Sequence, residues 1–163
     1  MAINGLFDQI MMEHGALIRR IAASYEVQQG LAEDLAQEIH LAVWRALPSF
    51  RGDSSLRTFV ARIAMNRGVT HALRSRNKPE SQQLSEHLVM PGDSPEASAI
   101  ATSRQARLLK GVRLLPLAYR QPVMLTLEGM TPKEIAEVLG ISANAAAIRL
   151  SRAKEMLRQY MGE

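Results

Sequence analysis

Apolar positions recur at three- and four-residue spacing through most of the chain, and the pattern lapses in one stretch. Leu6, Phe7, Ile10, Leu17, Ile18 and Ile21 would share one face of a helix. Residues 31–47 predict a second helix, with Leu35, Ile39 and Val43 stacked at four-residue spacing and Trp44 and Leu47 beside them. Pro48 and Gly52 bracket a short loop, PSFRGDS. Leu56, Phe59, Val60 and Ile63 open a third helix that can run to about Arg76. Alternating β-branched runs are few, so strands are not expected. Residues 1–77 therefore predict a small three-helix bundle. Residues 78–98 contain Pro79, Pro91, Gly92 and Pro95 with several Ser and Gln, which is linker chemistry. Ser94-Pro95 suits the start of a helix running to about Leu115. Leu115-Pro116 would break it, and Pro122 would start another short helix through Leu127.

The densest signal lies in residues 131–157, TPKEIAEVLGISANAAAIRLSRAKEML. Thr131 is a natural N-cap, Pro132 fits the first helical position, and Glu134 can close a capping box. Ile135, Ala136 and Leu139 give an apolar side, and Gly140 allows the left-handed residue that ends the helix. Ile141 plugs the turn and Ser142 caps a second helix, on which Ala146, Leu150, Ala153 and Leu157 form one stripe. Arg149, Arg152, Lys154 and Arg158 lie on or flank the remaining surface. Two short helices with a basic second member are what a DNA major groove accepts. A plain helical hairpin in an all-α core would produce the same spacing, so the remainder of the chain has to decide.

Charge is distributed in blocks. The net charge is only +4, yet residues 1–50 carry three Arg against six acids. Residues 51–78 carry seven bases and one acid; residues 79–103 carry four acids and no base; residues 104–120 carry five bases and no acid. Such blocks fit one surface for a protein partner and others for a polyanion. The chain has no cysteine, which excludes disulfides, thiol chemistry and a Cys-based zinc site. No signal peptide and no span of about 20 apolar residues is expected, so a cytoplasmic protein is expected. His14, His40, His71 and His87 form no metal-ligand spacing. No phosphate-cradling glycine loop or nucleophile elbow occurs. Neither an enzyme, nor a cofactor or metal, nor a small-molecule substrate is expected.

A second informative segment spans residues 32–67. Asp34, Gln37, Glu38 and Leu41 share the side of their helix opposite the Leu35–Ile39–Val43 ladder. Arg57 and Arg62 point away from the Phe59–Ile63 stripe, with Asn66 at its flank. AEDLAQE, then Trp44-Arg45-Ala46-Leu47, then FRGDSSLRTFVARIAMN resemble the second conserved region of the two-domain, extracytoplasmic-function sigma factors of bacterial RNA polymerase. SPEASA, LPLAYRQPVML, EGMTPKEIAEVLGIS and RLSRAKEML resemble the fourth. The resemblance covers nearly the whole chain outside the linker, in order.

The resemblance implies an all-α protein of two helical bundles on a flexible linker: region 2 at residues 1–77, a tether at 78–98, and region 4 with its helix-turn-helix at 99–163. It implies a promoter-specificity subunit with core RNA polymerase, promoter DNA and an anti-sigma factor as partners. By position, Asp34, Gln37, Glu38 and Leu41 match the face that docks on core polymerase. Ser49, Phe50, Arg51, Gly52 and Asp53 match the loop that captures a flipped minus-ten base. Arg57, Arg62 and Asn66 match the helix at the melting point. Ser142, Asn144, Ile148, Arg149, Arg152 and Lys154 match the minus-thirty-five reader. The sequence departs from the family at Met65 and Ala147, where a basic residue is usual, and at Ile148, where Ser is usual. An Ala-rich reader has few donors for base edges, which leaves Asn144, DNA shape, and phosphate contacts by Arg149 and Arg152. Two alternatives remain: a sigma-mimicking adaptor that titrates an anti-sigma factor, and a free-standing repressor. The first lacks its usual receiver segment here, and the second leaves the acidic face around residues 34–38 unexplained.

Overall fold

The computed structural model describes residues 2–76 and 96–162. The segment read as a linker up to residue 95, the proposed Ser94-Pro95 cap and His87 lie outside the described residues. Among those described, the elements are seven α-helices and one 3-10 turn, with no strand. They are α1 (Ala2–Tyr25), α2 (Gln29–Ala46), the 3-10 turn Leu47–Ser49, α3 (Leu56–Arg76), α4 (Glu96–Leu114), α5 (Leu117–Leu127), α6 (Pro132–Leu139) and α7 (Ala143–Met161).

Helices α1, α2 and α3 form the N-terminal bundle. Its centre is Ile10, Ile18, Ile21, Leu35, Ile39, Val43, Val60 and Met65, each essentially without solvent contact. The apolar ladder predicted for α2 is the buried one, but Trp44 is not part of it: it stands 46% exposed, on the face opposite the core. One residue is a 100° step around a helix, enough to carry Trp44 off the Val43 face and onto that of Leu41. The tightest approach is at Gly68, where an added Cβ would lie 2.3 Å from ring carbons of Tyr25. Tyr25 is buried and donates from its hydroxyl to the Met65 sulfur at 3.3 Å. Burial pushes its pKa up to about 12.

The C-terminal bundle is built of α4, α5, α6 and α7 around Val112, Leu115, Leu125, Ile135, Ala146 and Ala153. Helix α4 begins at Glu96, directly after the Ser94-Pro95 start expected for it, and ends at Leu114. One detail differs from the sequence reading. Pro122 does not start α5; it lies inside it. The helix begins one turn earlier, after Pro116, whose carbonyl accepts from the Tyr119 and Arg120 amides at 2.9 Å. Pro122 is the sixth residue of α5, past the four donors that any helix start leaves free, so its missing N–H costs one intrahelical bond, to the Ala118 carbonyl.

The two bundles pack directly on each other. Helix α3 runs against α6, and α1 against α4. Arg113 of α4 donates to the Ala23 carbonyl at 2.7 and 3.0 Å and to the Glu26 carbonyl at 3.3 Å. These are end-of-helix acceptors of α1, a helix with no basic residue in its own last turn. Arg120 sits 5.8 Å above the Tyr25 ring, a cation–π contact across the same junction.

Candidate polymerase and promoter interfaces

The outward face of α2 carries Asp34, Gln37, Glu38 and Leu41, all exposed, with Trp44 one turn on. Leu41 is 47% and Trp44 46% exposed, so the stripe runs from acidic to apolar along the helix. Burying such large apolar side chains against a partner is favourable, and Trp is among the residues that most often anchor interfaces. Trp44 is absent from the sequence-predicted set. Its spacing of three from Leu41 was the available signal. Arg74 of α3 reaches Glu38 only at 3.9 Å, an exposed pair that contributes little.

The loop after α2 is fixed at both ends and free in the middle. The Ser49 hydroxyl donates back to the Ala46 carbonyl at 2.7 Å. Phe50 is half-buried, its ring 4.8 Å from that of Phe59 at an angle of 57°. Gly52 has φ of 78°, which favours glycine, and lets the chain turn there. Ser55 accepts from the Thr58 amide at 3.1 Å and so starts α3. Of the five loop residues singled out, Ser49, Arg51, Gly52 and Asp53 are exposed. Phe50 is turned into the bundle and holds the loop.

On α3, Asn66 is exposed, while Arg57 and Arg62 reach the C-terminal bundle. Arg57 Nη2 lies 2.6 Å from Glu134 Oε2, and Nη1 donates to the Glu128 carbonyl at 3.4 Å. Arg62 Nη2 donates to the Glu137 carbonyl at 2.8 Å. Glu134 is also the capping-box carboxylate, accepting from the Thr131 amide at 3.1 Å. That backbone bond, and then the Arg57 guanidinium, hold its carboxyl below the usual carboxylate range.

Helices α6 and α7 form the helix-turn-helix through the caps the sequence predicts. Thr131 accepts from the Glu134 amide, Gly140 is left-handed at φ 69°, and Ser142 accepts from the Ala145 amide at 3.0 Å. The Ser142 hydroxyl is thus engaged in capping. Asn144, Ile148, Arg152 and Lys154 are exposed, and Arg149 is half-buried. At 100° per residue, Asn144, Ala147, Ile148 and Ser151 form the crest of α7, with Arg149 on one flank and Lys154 on the other. A helix lying in a groove presents such flanks to the two phosphate walls. The only large apolar group on the crest is Ile148, 44% exposed, which offers contact to a thymine methyl and no hydrogen bond.

The described histidines, His14, His40 and His71, do not converge. His71 Nε2 lies 2.9 Å from Glu26 Oε1. Burial, and Arg19 nearby, lower the pKa of His40. No cluster of three metal-ligating side chains occurs among the described residues. No helix among them is long and apolar enough to cross a membrane.

Sigma-70 region 2 matches residues 10–78, and sigma-70 region 4 matches residues 105–157. The chain belongs to the sigma-70 family, as a two-region sigma factor of the extracytoplasmic-function type. It is 31% identical over 160 residues to the RNA polymerase sigma factor NccH of Alcaligenes xylosoxydans xylosoxydans, covering 93% of this chain and 84% of that one. It is 28% identical over 161 residues to the RNA polymerase sigma-H factor of Pseudomonas aeruginosa, covering 93% and 83%. The structure of CnrH in complex with the cytosolic domain of CnrY superposes with a TM-score of 0.69 at 25% identity, covering 96% of this chain and 87% of that one. The sigma factor RpoE of Bartonella quintana, solved with the anti-sigma factor NepR, shares the fold at a TM-score of 0.70 and 21% identity, over 96% of both chains.

Proposed function

We propose that this protein binds core RNA polymerase through the outer face of α2 and directs it to promoters, with no catalysis of its own and in the cytoplasm. The observation that carries this reading is the presence of both sigma regions on one chain with the α2 face open. In it, Asp34, Gln37, Glu38 and Leu41 dock on the polymerase, with Trp44 as a further anchor. Arg51, Gly52 and Asp53 meet the displaced minus-ten strand, with Ser49 and Phe50 shaping the loop. Arg57, Arg62 and Asn66 follow the strand backbone, where guanidinium–phosphate contacts supply affinity that falls with salt. The α7 set, Ser142, Asn144, Ile148, Arg149, Arg152 and Lys154, lies on the minus-thirty-five duplex. Residues 1–77 and 99–163 are the two functional units. An anti-sigma factor holds the chain between rounds of use, as the complexes of CnrH and RpoE suggest by likeness.

Run-off transcription with purified core polymerase on genomic fragments tests this. Specific transcripts that need this chain support it. Changing Asp34 and Glu38 to Lys should abolish core binding and leave helicity intact. The donor-poor crest of α7 favours one other reading, a mimic that only titrates an anti-sigma factor. A mimic would yield no transcript with any fragment.

A further inference from the structure

The stretch 104–120 carries five bases and no acid, and the structure divides them. Arg113 reaches the end of α1, and Arg120 donates to the Arg113 and Leu115 carbonyls at 2.7 and 2.9 Å, so both are engaged inside the fold. Arg104, Arg107 and Lys110 are exposed on α4, and none forms an ion pair among the described residues. Arg107 Nη2 donates to the Met161 carbonyl at 3.3 Å, and a Cβ added to Gly111 would lie 3.1 Å from Leu157 Cδ2. Positions 107 and 111 thus meet 161 and 157, so α4 and α7 run antiparallel and the last turn of α7 lies beside the basic stripe. That turn carries Arg158 and Tyr160, both exposed. Tyr160 points within about 20° of the direction of the buried Ala153. It lies two turns further along, past the core, and is 48% exposed. The one acid of α7, Glu155, pairs with Arg158 at the surface, a contact that contributes little.

A solvated face explains the exposed cations, and capping of the α7 terminus explains Arg107. Neither places a half-exposed tyrosine ring among them. We infer that Arg104, Arg107, Lys110, Arg158 and Tyr160 form a further nucleic-acid surface, and that it takes single-stranded RNA. The four cations hold phosphates, and the tyrosine stacks on a base. An aromatic ring set among cations suits a single strand, since the faces of the bases in a duplex are already stacked on one another. Ala147 on the α7 crest and Tyr160 are 13 residues apart, about 20 Å along the helix. The patch therefore stands off from the duplex assigned to the crest. The melted minus-ten strand is assigned to the loop of the N-terminal bundle. The single strand that remains in a transcribing complex is its RNA product. The inference rests on the sigma reading, which supplies the polymerase and hence the transcript.

Anisotropy of the full chain with a labelled single-stranded RNA tests the surface. Tyr160→Ala should weaken binding about tenfold, as loss of one base–aromatic stack does. Tyr160→Phe keeps the ring and should bind as the parent does. Arg104→Glu combined with Lys110→Glu should weaken binding by about tenfold or more and flatten its salt dependence. Holoenzyme binding to promoter duplex should be unchanged by all of these. Parent-like RNA binding in Tyr160→Ala, or an equal loss in Tyr160→Phe, overturns the surface. The transcribing complex identifies the strand. A benzophenone side chain placed at Gln159, which is exposed next to Tyr160, should cross-link to labelled transcript in the holoenzyme. Cross-links to promoter DNA alone overturn the RNA assignment. Transcripts made with no cross-link to them overturn it too and leave the sigma reading standing. No transcript from the parent overturns the sigma reading, and the RNA assignment falls with it.

Discussion

The two bundles reach similar helical order by different means. In the N-terminal one the helices are long, and α2 enters from Gln28 with no side-chain cap. Its stability comes from an apolar face buried against two other helices. In the C-terminal one, α6 has eight residues, and a helix that short is marginal in water. It is held by a capping box, a proline at its start and a left-handed glycine at its end. Helix α2 is specified by the periodicity of its core and α6 by its termini, so the same kind of substitution should have very different consequences in the two.

The largest expected effect is in the periodic half. Ile39→Ala removes a fully buried side chain and should cost ~2–5 kcal/mol by thermal or chemical denaturation. Hydrogen exchange should locate the loss in α1 to α3; an even loss over both bundles would break the contrast. Gly68→Ala comes next. The Tyr25 ring blocks a methyl group there, so overpacking should cost ~1–3 kcal/mol despite the better helix former. In the capped half, Thr131→Ala should cost ~1 kcal/mol, with faster amide exchange confined to the first turn of α6. Acid sharpens the same point. The folded state depresses the Glu134 pKa, so its stabilisation is present above the ordinary carboxylate range and is lost as pH falls through the depressed value. Glu134→Gln should keep the cap and flatten that part of the pH profile. The smallest effect is at the surface. Arg152, exposed on α7, is the case: Arg152→Ala should leave stability within ~0.5 kcal/mol and lower the salt slope of holoenzyme binding to duplex DNA by about one unit.

The helix-turn-helix was legible nearly atom by atom because its determinants are local. Thr131, Glu134, Gly140 and Ser142 act within four residues of themselves, and a cap is a sequence event as much as a structural one. The α2 ladder was legible through its period. Trp44 was misplaced because it adjoins Val43 in sequence, although that step turns it to the opposite face. Pro122 was misread by a rule about proline that Pro116, six residues earlier, had already used. Phe50 was taken with its loop, whereas its partner Phe59 lies a helical turn beyond the loop's end. What could not be read at all was the destination of Arg57 and Arg62. Their acceptors lie more than 70 residues downstream, and no periodicity joins the two stretches. Helical phase places a side chain on a face; it does not say which other face will cover it.

Glu134 belongs to both halves of the contrast, since one carboxylate closes the first turn of α6 and receives Arg57 from α3. Its two oxygens divide these tasks, Oε1 toward Thr131 and Oε2 toward Arg57. Thr131, Glu134 and Arg57 therefore form one thermodynamic unit across 77 residues of sequence. Fraying of the helix start swings the carboxylate away from the arginine, and departure of the arginine leaves the carboxylate freer to release the helix start. Substitutions at Thr131 and Arg57, which do not touch each other, should then be non-additive in a double-mutant cycle, with an interaction term of ~0.5 kcal/mol or more that vanishes when Glu134 is replaced by Ala.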